Sequence, residues 1–372
     1  MLKYNTLGKT GIKVSQICFG SLTVSPLGAD LPEAEGAEVI AYALESGINF
    51  IDTAQYYNNY ETIKRGMSLY AARGGRERPV ICTKTYAWNR ELAAEAVGEA
   101  RKKLGLDVID VFLLHEQESI HTLRGHMEAL EYLYECKDQG IIRAVGLSTH
   151  CIDAVKAAAE IRHSHGIGLD VVFPMFNIEG LGIRQIEKSD ESENNGTKTE
   201  SEKRTVSEAE TRIALRDEMY RAIKRCRESG VGIMLMKVFG GGHLLGAPDS
   251  SGAIEKTVNS SPSKRAAAAL RFAIDSDCGD SIALGMQSAE EVLENIRFFE
   301  TGRFSDDFCS KVDHRKRRLV VEDYCEGCGI CVRRCGQGAM TVKNGTAVCD
   351  SSKCILCGYC AGVCPHFAIK VI

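Results

Sequence analysis

Several features are missing from this sequence, and each absence excludes a class of protein. No apolar run approaches the ~20 residues that a membrane-spanning helix needs, so we expect no membrane segment. No signal peptide precedes the first predicted domain, which favours a cytoplasmic protein. The net charge of −4 includes no excess of basic residues, so we expect no partnership with nucleic acid or with an acidic membrane surface.

The length and composition are those of a globular protein with room for more than one domain. The chain has 372 residues, of which 44% are hydrophobic and 26% are charged, and both proportions are ordinary. Such a length can hold one large domain of about 250 to 300 residues together with a small one.

Three candidate strands each end in a polar side chain that can take part in chemistry. One apolar run ends in Asp52, and Tyr57 follows five residues later. Two later runs end in Lys84 and in His115. The C-terminal ends of the strands in a parallel barrel converge on one mouth, so side chains far apart in sequence can meet there. These four residues are the candidate active site.

Short apolar runs alternate with amphipathic stretches along residues 16–299. Strands that alternate with helices predict an α/β fold, here a (β/α)8 TIM barrel. Gly105 and Gly230 follow amphipathic stretches, where a helix end favours a residue that tolerates positive φ. A hairpin over residues 2–16 is expected to cover one end of the barrel. The predicted strands are 16–20, 48–52, 79–84, 108–114, 141–147, 169–176, 231–236 and 281–284, and the predicted helices are 33–46, 60–72, 90–104, 121–139, 152–165, 211–229, 262–276 and 288–299.

The sequence around Asp52 resembles the aldo-keto reductase family. The most specific local match is Asp52-Thr53-Ala54-x-x-Tyr57, and the likeness covers residues 1 to 300. The family carries an Asp, a Tyr, a Lys and a His at the strand ends where this chain has its four candidate residues. The resemblance implies that a small-molecule carbonyl or alcohol is the substrate and that NAD(P)H is the cofactor.

The resemblance also implies a role for each of the four side chains. Tyr57 would donate a proton to the carbonyl oxygen, although a free phenol titrates near about 10 and needs help to act at neutral pH. Lys84 would supply a positive charge that favours the phenolate, and Asp52 would keep Lys84 charged and in place. His115 would hydrogen-bond the substrate carbonyl and orient it. Each residue alone has an ordinary structural explanation, and only the set predicts a site.

The family's cofactor-binding positions are matched less closely. Ser148 is followed by Thr149 and His150 where the family has a Ser-Asn pair, and the family's glutamine at the end of the sixth strand is replaced. A glycine-rich loop after the seventh strand resembles the loop that wraps the pyrophosphate, and a glycine hinge without a ligand is the alternative. The candidate cofactor-binding residues are Ser148, Lys237, Gly240, Gly241, Gly285, Gln287, Glu291 and Asn295.

Glu291 is an informative departure in the segment that resembles the adenosine-phosphate site. Many relatives carry Arg or Gln near the 2′-phosphate at this point. A carboxylate should repel a phosphate dianion and accept a hydrogen bond from a ribose hydroxyl instead. We therefore expect NADH to be used at least as well as NADPH. A flavin is left open, without a motif to support it.

Half of the sixteen cysteines lie in two runs that share the pattern C-x2-C-x2-C-x3-C. Such clustering in a reducing compartment indicates metal rather than disulfides. The runs resemble a bacterial two-cluster ferredoxin, a small α+β domain in which the fourth cysteine of each run ligates the other run's [4Fe–4S] cluster. Zinc is the competing interpretation, although zinc sites usually pair two C-x2-C knuckles. The resemblance implies one cluster on Cys325, Cys328, Cys331 and Cys364 and a second on Cys354, Cys357, Cys360 and Cys335.

The predicted domains are a barrel over 1–300, a linker over 301–322 and a ferredoxin-like domain over 323–372. A polar insertion over about 187–210 interrupts the barrel and is expected to be a mobile loop on the catalytic face, either a lid or inert. The basic run at 314–318 is either a solvated connector or a docking site for an acidic redox partner protein.

The sequence leaves open how the two halves would work together. A nicotinamide moves a two-electron hydride, whereas each cluster normally passes single electrons. One hypothesis is an oxidoreductase whose clusters exchange electrons with a partner protein or with a barrel-bound cofactor. A second is an ordinary carbonyl reductase with structural or sensing clusters. A third is a non-enzymatic electron carrier built on a barrel that has lost its activity.

Overall fold

The computed structural model describes residues 2–186, 208–245, 262–306, 318–354, 356, 358–366 and 368–371. Three predicted features lie wholly or mostly outside the described residues. They are the insertion, of which 187–207 is left out, the basic run, of which 314–317 is left out, and Cys357. The structural statements below concern the described ranges.

Eight parallel strands form a closed barrel, which confirms the predicted fold class. Each strand pairs with the next along the chain, and the last pairs with the first to close the ring. Counting every strand in chain order, the barrel strands are β3 Ile17–Gly20, β4 Phe50–Asp52, β5 Val80–Thr85, β6 Ile109–Leu114, β7 Ile142–Thr149, β10 Val171–Pro174, β11 Gly232–Leu235 and β12 Ser281–Leu284.

Helices surround the barrel close to the predicted positions. Two predicted helices were wrong in extent. The helix predicted over 121–139 is two helices that meet at His126. The helix predicted over 152–165 ends at Ala158, and a small hairpin of β8 Arg162–His163 and β9 Gly166–Ile167 follows it. The helices are α1 Glu33–Glu45, α2 Tyr60–Ala72, α3 Arg90–Leu104, α4 Ile120–Gly125, α5 Met127–Asp138, α6 Ile152–Ala158, α7 Glu208–Glu228, α8 Pro262–Asp275 and α9 Ala289–Thr301.

The barrel strands are apolar because helices cover their outer face and side chains fill their interior. All residues of β5 and β6 are buried, which is the pattern expected of a parallel sheet covered on both faces. Phe19, Phe50 and Phe112 are among the largest fully buried side chains. Gly105 ends α3 with a φ of 69°, so the predicted glycine cap is confirmed there.

An N-terminal hairpin closes the end of the barrel away from the candidate site. Strand β1 Tyr4–Thr6 pairs antiparallel with β2 Lys13–Ser15, as predicted. Leu7 and Ile12 in the turn are fully buried. A Cβ atom on Gly8 would lie 2.3 Å from the backbone nitrogen of Gly232, which begins β11. The hairpin therefore seals the N-terminal ends of the strands and leaves the opposite mouth for chemistry.

The cysteine-rich segment forms a small α+β unit. Strand β13 Leu319–Val321 pairs with β16 Ile369–Val371, and β14 Met340–Lys343 pairs with β15 Thr346–Cys349, all antiparallel. Two short helices, α10 Ile330–Arg334 and α11 Tyr359–Gly362, complete it. Its buried cluster has few large apolar residues and includes Cys331, Cys360 and Cys364. A core this small needs bound metal or cross-links to hold it.

Strand β13 lies inside the segment that the sequence predicted as a linker. Its three residues are half-buried and pair with the last described strand, so they belong with the cysteine-rich unit. The division into domains otherwise stays a prediction. Across the described ranges, no helix combines the length and the apolar character required to cross a membrane.

Candidate active site

The four predicted active-site residues meet at the C-terminal mouth of the barrel. Asp52 is the last residue of β4, and Tyr57 ends the short turn of 3-10 helix that follows it. Lys84 lies near the end of β5, and His115 directly follows β6. All four are buried, with at most 7% of any residue exposed. Side chains 63 residues apart in sequence, from Asp52 to His115, therefore share one pocket.

Lys84 is held by oxygen atoms at the base of the pocket. Its Nζ atom donates to the Asp52 carboxylate and to the Thr53 carbonyl oxygen, each at 2.6 Å. Burial is the largest single influence on the pKa of Lys84 and would lower it, but Asp52, together with Tyr57 and Cys82, raises that pKa above its ordinary value. The ammonium also lies 4.9 Å from the centre of the Tyr57 ring. The result is a fixed positive charge beside the phenol.

Tyr57 keeps its proton at neutral pH. Burial raises the pKa of the phenol to about 12, and the charge of Lys84 offsets only part of that rise. Lys84 therefore does not produce a phenolate in the resting site. It lowers the cost of forming one when the proton leaves.

His115 is neutral in this pocket. Burial, then the charges of Lys84 and Arg334, hold its pKa well below the usual value. The Tyr86 ring stacks on the imidazole, with 4.4 Å between ring centres, and the Tyr57 ring meets it edge-on at 6.0 Å. A neutral imidazole has one N–H that can donate to a substrate carbonyl. The site thus combines a protonated phenol, a buried cation and a neutral imidazole.

Comparison with known proteins finds family matches in both parts of the chain. Residues 16–189 match the model of the aldo/keto reductase family. This segment, which holds the first six strands of the barrel and just under half of the chain, resembles an aldo/keto reductase domain. Residues 350–370 match the model of the 4Fe-4S binding domain, so the barrel is followed by a ferredoxin-like domain.

Curated relatives match the reductase barrel at modest identity. The chain is 28% identical to the aldo-keto reductase YhdN of Bacillus subtilis over 180 residues, which is 45% of this chain and 53% of that protein. It is 33% identical to methylglyoxal reductase DkgA of Salmonella typhimurium over 124 residues, which is 32% of this chain and 44% of that protein. The matched part therefore spans about half the length of these relatives.

Solved structures support the fold over a longer stretch. An aldo-keto reductase from Bacillus halodurans in its holo form aligns with a TM-score of 0.56 at 18% identity, covering 83% of this chain and 95% of that one. The aldo/keto reductase of Brucella melitensis aligns with a TM-score of 0.53 at 17% identity, covering 83% and 98%. These likenesses concern the fold.

The loop after β11 contains three consecutive glycines with left-handed backbone. Gly240, Gly241 and Gly242 have φ angles of 57°, 71° and 99°, so all lie in the left-handed region. No atom lies within 4 Å of where a Cβ atom on Gly242 would be. The Gly240 and Gly242 N–H groups donate to the carbonyl oxygens of Lys237 and Phe239, at 2.8 and 2.9 Å, so these two donors are already engaged within the loop. The loop stays a predicted site for the pyrophosphate. Lys237, before the glycines, also has a positive φ, of 58°.

The other predicted cofactor residues are engaged by the protein itself. The Ser148 hydroxyl is buried and accepts from the Glu116 backbone N–H at 3.1 Å. The Glu291 carboxylate accepts from the Gln287 backbone N–H at 2.8 Å, and the Asn295 amide donates to the Glu291 carbonyl oxygen at 2.8 Å. A carboxylate therefore occupies the start of α9, close to Gly285.

Cysteines of both runs line one cavity. Cys325, Cys328 and Cys331 line one cavity together with Cys364 from the second run. Backbone N–H groups of Ala347 and Ala368 donate to the sulfur atoms of Cys325 and Cys364 at 3.4 and 3.3 Å. Such N–H···S bonds stabilise the thiolates that hold iron–sulfur clusters.

The second set of cysteines is only partly described. The Ala339 N–H donates to the sulfur of Cys335 at 3.3 Å, and Cys354 and Cys360 are buried, whereas Cys357 lies outside the described residues. In the described part of the chain, no group of three His, Cys, Asp or Glu side chains could hold a metal ion. That finding concerns a single ion, because a [4Fe–4S] cluster spreads its ligands over the corners of a cube.

Sequence reasoning missed residues that surround the pocket. Thr53 contributes only a carbonyl oxygen, which no side-chain pattern reveals. Tyr86 and Glu116 follow the ends of β5 and β6, so their position just past Lys84 and His115 was an available signal. Arg334 reaches the mouth from the cysteine-rich unit and had no local signal.

Proposed function

We propose that the barrel carries out nicotinamide-linked reduction of a small carbonyl compound, or the reverse oxidation of an alcohol. The observation that supports this most is the buried Lys84–Asp52 pair beside the protonated phenol of Tyr57 and the neutral imidazole of His115. Aldehydes and ketones need a proton at oxygen when a hydride adds to carbon. When bound, a nicotinamide would supply that hydride.

The side chains of the pocket would manage the proton and the orientation of the substrate. His115 would donate its N–H to the carbonyl oxygen, which aligns the carbonyl and polarises it. Tyr57 would give its proton to the same oxygen, and the positive charge of Lys84 would stabilise the phenolate that remains. Asp52 would keep Lys84 charged in a pocket where an unpaired ammonium would be costly.

The cofactor would lie between the loops that follow β11 and β12. Gly240, Gly241 and Lys237 would receive the pyrophosphate, and the segment from Gly285 to Asn295 would receive the adenosine. Ser148 would act indirectly by holding the loop that carries Glu116. The carboxylate of Glu291 supports the use of NADH.

The ferredoxin-like domain would hold two [4Fe–4S] clusters that exchange single electrons with a redox partner protein. One set of ligands would be Cys325, Cys328, Cys331 and Cys364, and the other would be Cys335, Cys354, Cys357 and Cys360. The crossed lining of the first cavity and the N–H···S bonds support this arrangement. A reducing, cytoplasmic setting suits these thiolates.

Anaerobically purified protein tests the proposal. It should contain about eight iron atoms per chain, as two cubane clusters require, and should bind NADH. It should also oxidise NADH when a small carbonyl compound is added. Methylglyoxal with NADH tests the reduction, and an aldose with NAD⁺ tests the reverse oxidation, since relatives bear the names methylglyoxal reductase and D-arabinose 1-dehydrogenase. Failure to bind either NADH or NADPH would remove the proposal for the barrel, and a zinc content without iron would remove it for the cysteines.

A further inference from the structure

Arg334 belongs to the ferredoxin-like domain, yet its side chain lies in the mouth of the reductase barrel. It donates to the Tyr86 hydroxyl at 2.9 Å and forms an ion pair with the Glu116 carboxylate. Its guanidinium carbon lies 5.0 Å from the centre of the Tyr86 ring. The Glu116 side chain is 4% exposed, so the pair is shielded from water on the barrel side. Charge pairs of this kind contribute more than pairs on an open surface.

Tyr86 connects Arg334 to the active site. Its hydroxyl also donates to the Glu116 carboxylate at 3.1 Å. Each of Arg334, Tyr86 and Glu116 therefore makes a polar contact with the other two. On its other side, the Tyr86 ring is stacked on His115. An aromatic ring fixed at its hydroxyl end restricts the imidazole against which it packs.

The backbone of Glu116 has an uncommon conformation. Glu116 directly follows His115 and has a φ of 53°, a conformation that is uncommon for a residue with a side chain. Residues held in this region persist when their surroundings over-determine them, and they cluster at functional sites. The ion pair with Arg334 is one of the contacts that hold it.

Neighbouring residues of the same segment also lie on the barrel. A Cβ atom on Gly336 would be 2.3 Å from the guanidinium of Arg184, and the Gln337 amide donates to the Gly182 carbonyl oxygen at 3.3 Å. Arg184 and Gly182 follow β10. The segment that begins at Arg334 therefore touches loops after three different barrel strands.

We propose that Arg334 is a positioning residue of the barrel's active site, which acts through Tyr86 to hold His115 for substrate binding. This inference rests on the proposed carbonyl chemistry for its effect on turnover. It means that the substrate pocket is complete only when the ferredoxin-like domain is docked on the barrel. Cys335, the next residue, is a proposed cluster ligand, so cluster ligation and substrate positioning share one short segment.

Arg334→Ala in the cluster-loaded full chain tests this inference, with Arg333→Ala as its control. Arg333 lies in the same helix and is exposed. The Arg334 variant should lose about tenfold or more in kcat/KM for the carbonyl probe, because a charged hydrogen-bond network is broken. Arg334→Lys should recover part of the loss, since it keeps the charge but not the forked geometry. The Arg333 variant should match the wild type.

Hydrogen exchange supplies a readout that does not depend on turnover. Exchange should be faster at residues 85–89 and 115–117 in Arg334→Ala, and unchanged at 142–149. Tyr86→Phe should also raise the exchange rates of residues 85–89 and 115–117. This variant replaces Arg334→Ala in the test if Arg334→Ala loses the absorbance of its clusters. Equal exchange in the Arg334 and Arg333 variants would overturn the proposal, whatever the activity. If the wild type has no carbonyl reductase activity, the proposed function fails, and the exchange comparison still decides whether Arg334 holds this part of the pocket.

Discussion

Burial strongly affects the pKa values of both Lys84 and Tyr57 at the barrel mouth. The ammonium stays charged inside the barrel because the Asp52 carboxylate and the Thr53 carbonyl oxygen accept from it. The same burial that would discharge an unpaired lysine keeps Tyr57 protonated. The phenol is therefore ready to donate a proton, and the neighbouring charge reduces the cost of the phenolate that forms.

Tyr57→Phe should lower kcat for carbonyl reduction by about 10²- to 10⁴-fold, which is the usual contribution of a general acid. The Michaelis constant should change little, because the ring and its packing remain. Steady-state kinetics with NADH and methylglyoxal measure both constants. Tyr56→Phe is the matched control, since Tyr56 is adjacent and 47% exposed. Equal activity in the two variants would show that Tyr57 is not the acid.

The pH dependence should differ between the two directions of the reaction. Burial raises the pKa of Tyr57 to about 12, so the phenol is protonated across neutral pH and reduction should not vary with its ionisation. Alcohol oxidation needs the phenolate, so its rate should rise about tenfold per pH unit below that pKa. His115 is neutral because its pKa is well below its ordinary value. The pH profile of the rate should therefore show no change of slope from His115 near pH 6.5. Profiles of kcat/KM in both directions check this, and a reduction rate that falls between pH 7 and 9 would contradict it.

At the scale of elements, the start of α9 should set the preference between the two nicotinamide cofactors. The Glu291 carboxylate accepts from the Gln287 N–H there, where a free helix N-terminus would otherwise favour an anion. Glu291→Gln keeps a hydrogen-bond acceptor and removes the charge.

The Glu291→Gln variant should therefore gain in the ratio of kcat/KM for NADPH over NADH, by about three- to tenfold, because one repulsive charge near the 2′-phosphate is lost. Glu290→Gln is the control, since Glu290 is exposed in the same turn. A wild type that strongly prefers NADPH, or a ratio that is equal in the two variants, would refute the role given to Glu291.

The elements also show what sequence can and cannot predict. The strand ends at Asp52, Lys84 and His115 were predictable, because buried parallel strands are continuous apolar runs that stop at the mouth. The break at His126 and the hairpin after α6 were not, since helical periodicity continues across both. Tertiary packing decided those segments.

Arg334 was unpredictable for a different reason. Its contacts join residues 218 positions apart, from Glu116 to Arg334, and no local pattern reports where one domain docks on another. The glycine at 336, where the second cysteine run has a proline, becomes understandable only in the structure. A larger residue there would meet the Arg184 guanidinium.

At the scale of the whole molecule, the reductase barrel and the ferredoxin-like domain should depend on each other unequally. The barrel has a large core of its own, whereas the buried cluster of the small domain consists largely of cysteine and alanine. Metal ligation would therefore supply much of the stability of the small domain.

Removal of iron with a chelator under anaerobic conditions should leave the far-UV circular dichroism of the barrel largely intact. It should also lower kcat/KM for methylglyoxal by about tenfold, because Arg334 is released from Tyr86 and Glu116. Arg334→Ala should show little further loss on the same treatment, because the two changes break the same contacts. If iron removal lowered kcat/KM of Arg334→Ala by a further tenfold, the clusters would affect activity by a route other than the positioning of His115.

The fate of the transferred hydrogen tests the central claim most directly. Anaerobic protein would be given NADH that carries deuterium at both C4 positions, with methylglyoxal as the carbonyl, and the product alcohol would be analysed by mass spectrometry and NMR. Hydride chemistry at the Tyr57 pocket predicts one deuterium on the carbinol carbon and a solvent proton on its oxygen. A carbinol hydrogen that comes from water would contradict it, since electrons would then have reached the carbonyl separately from the hydrogen.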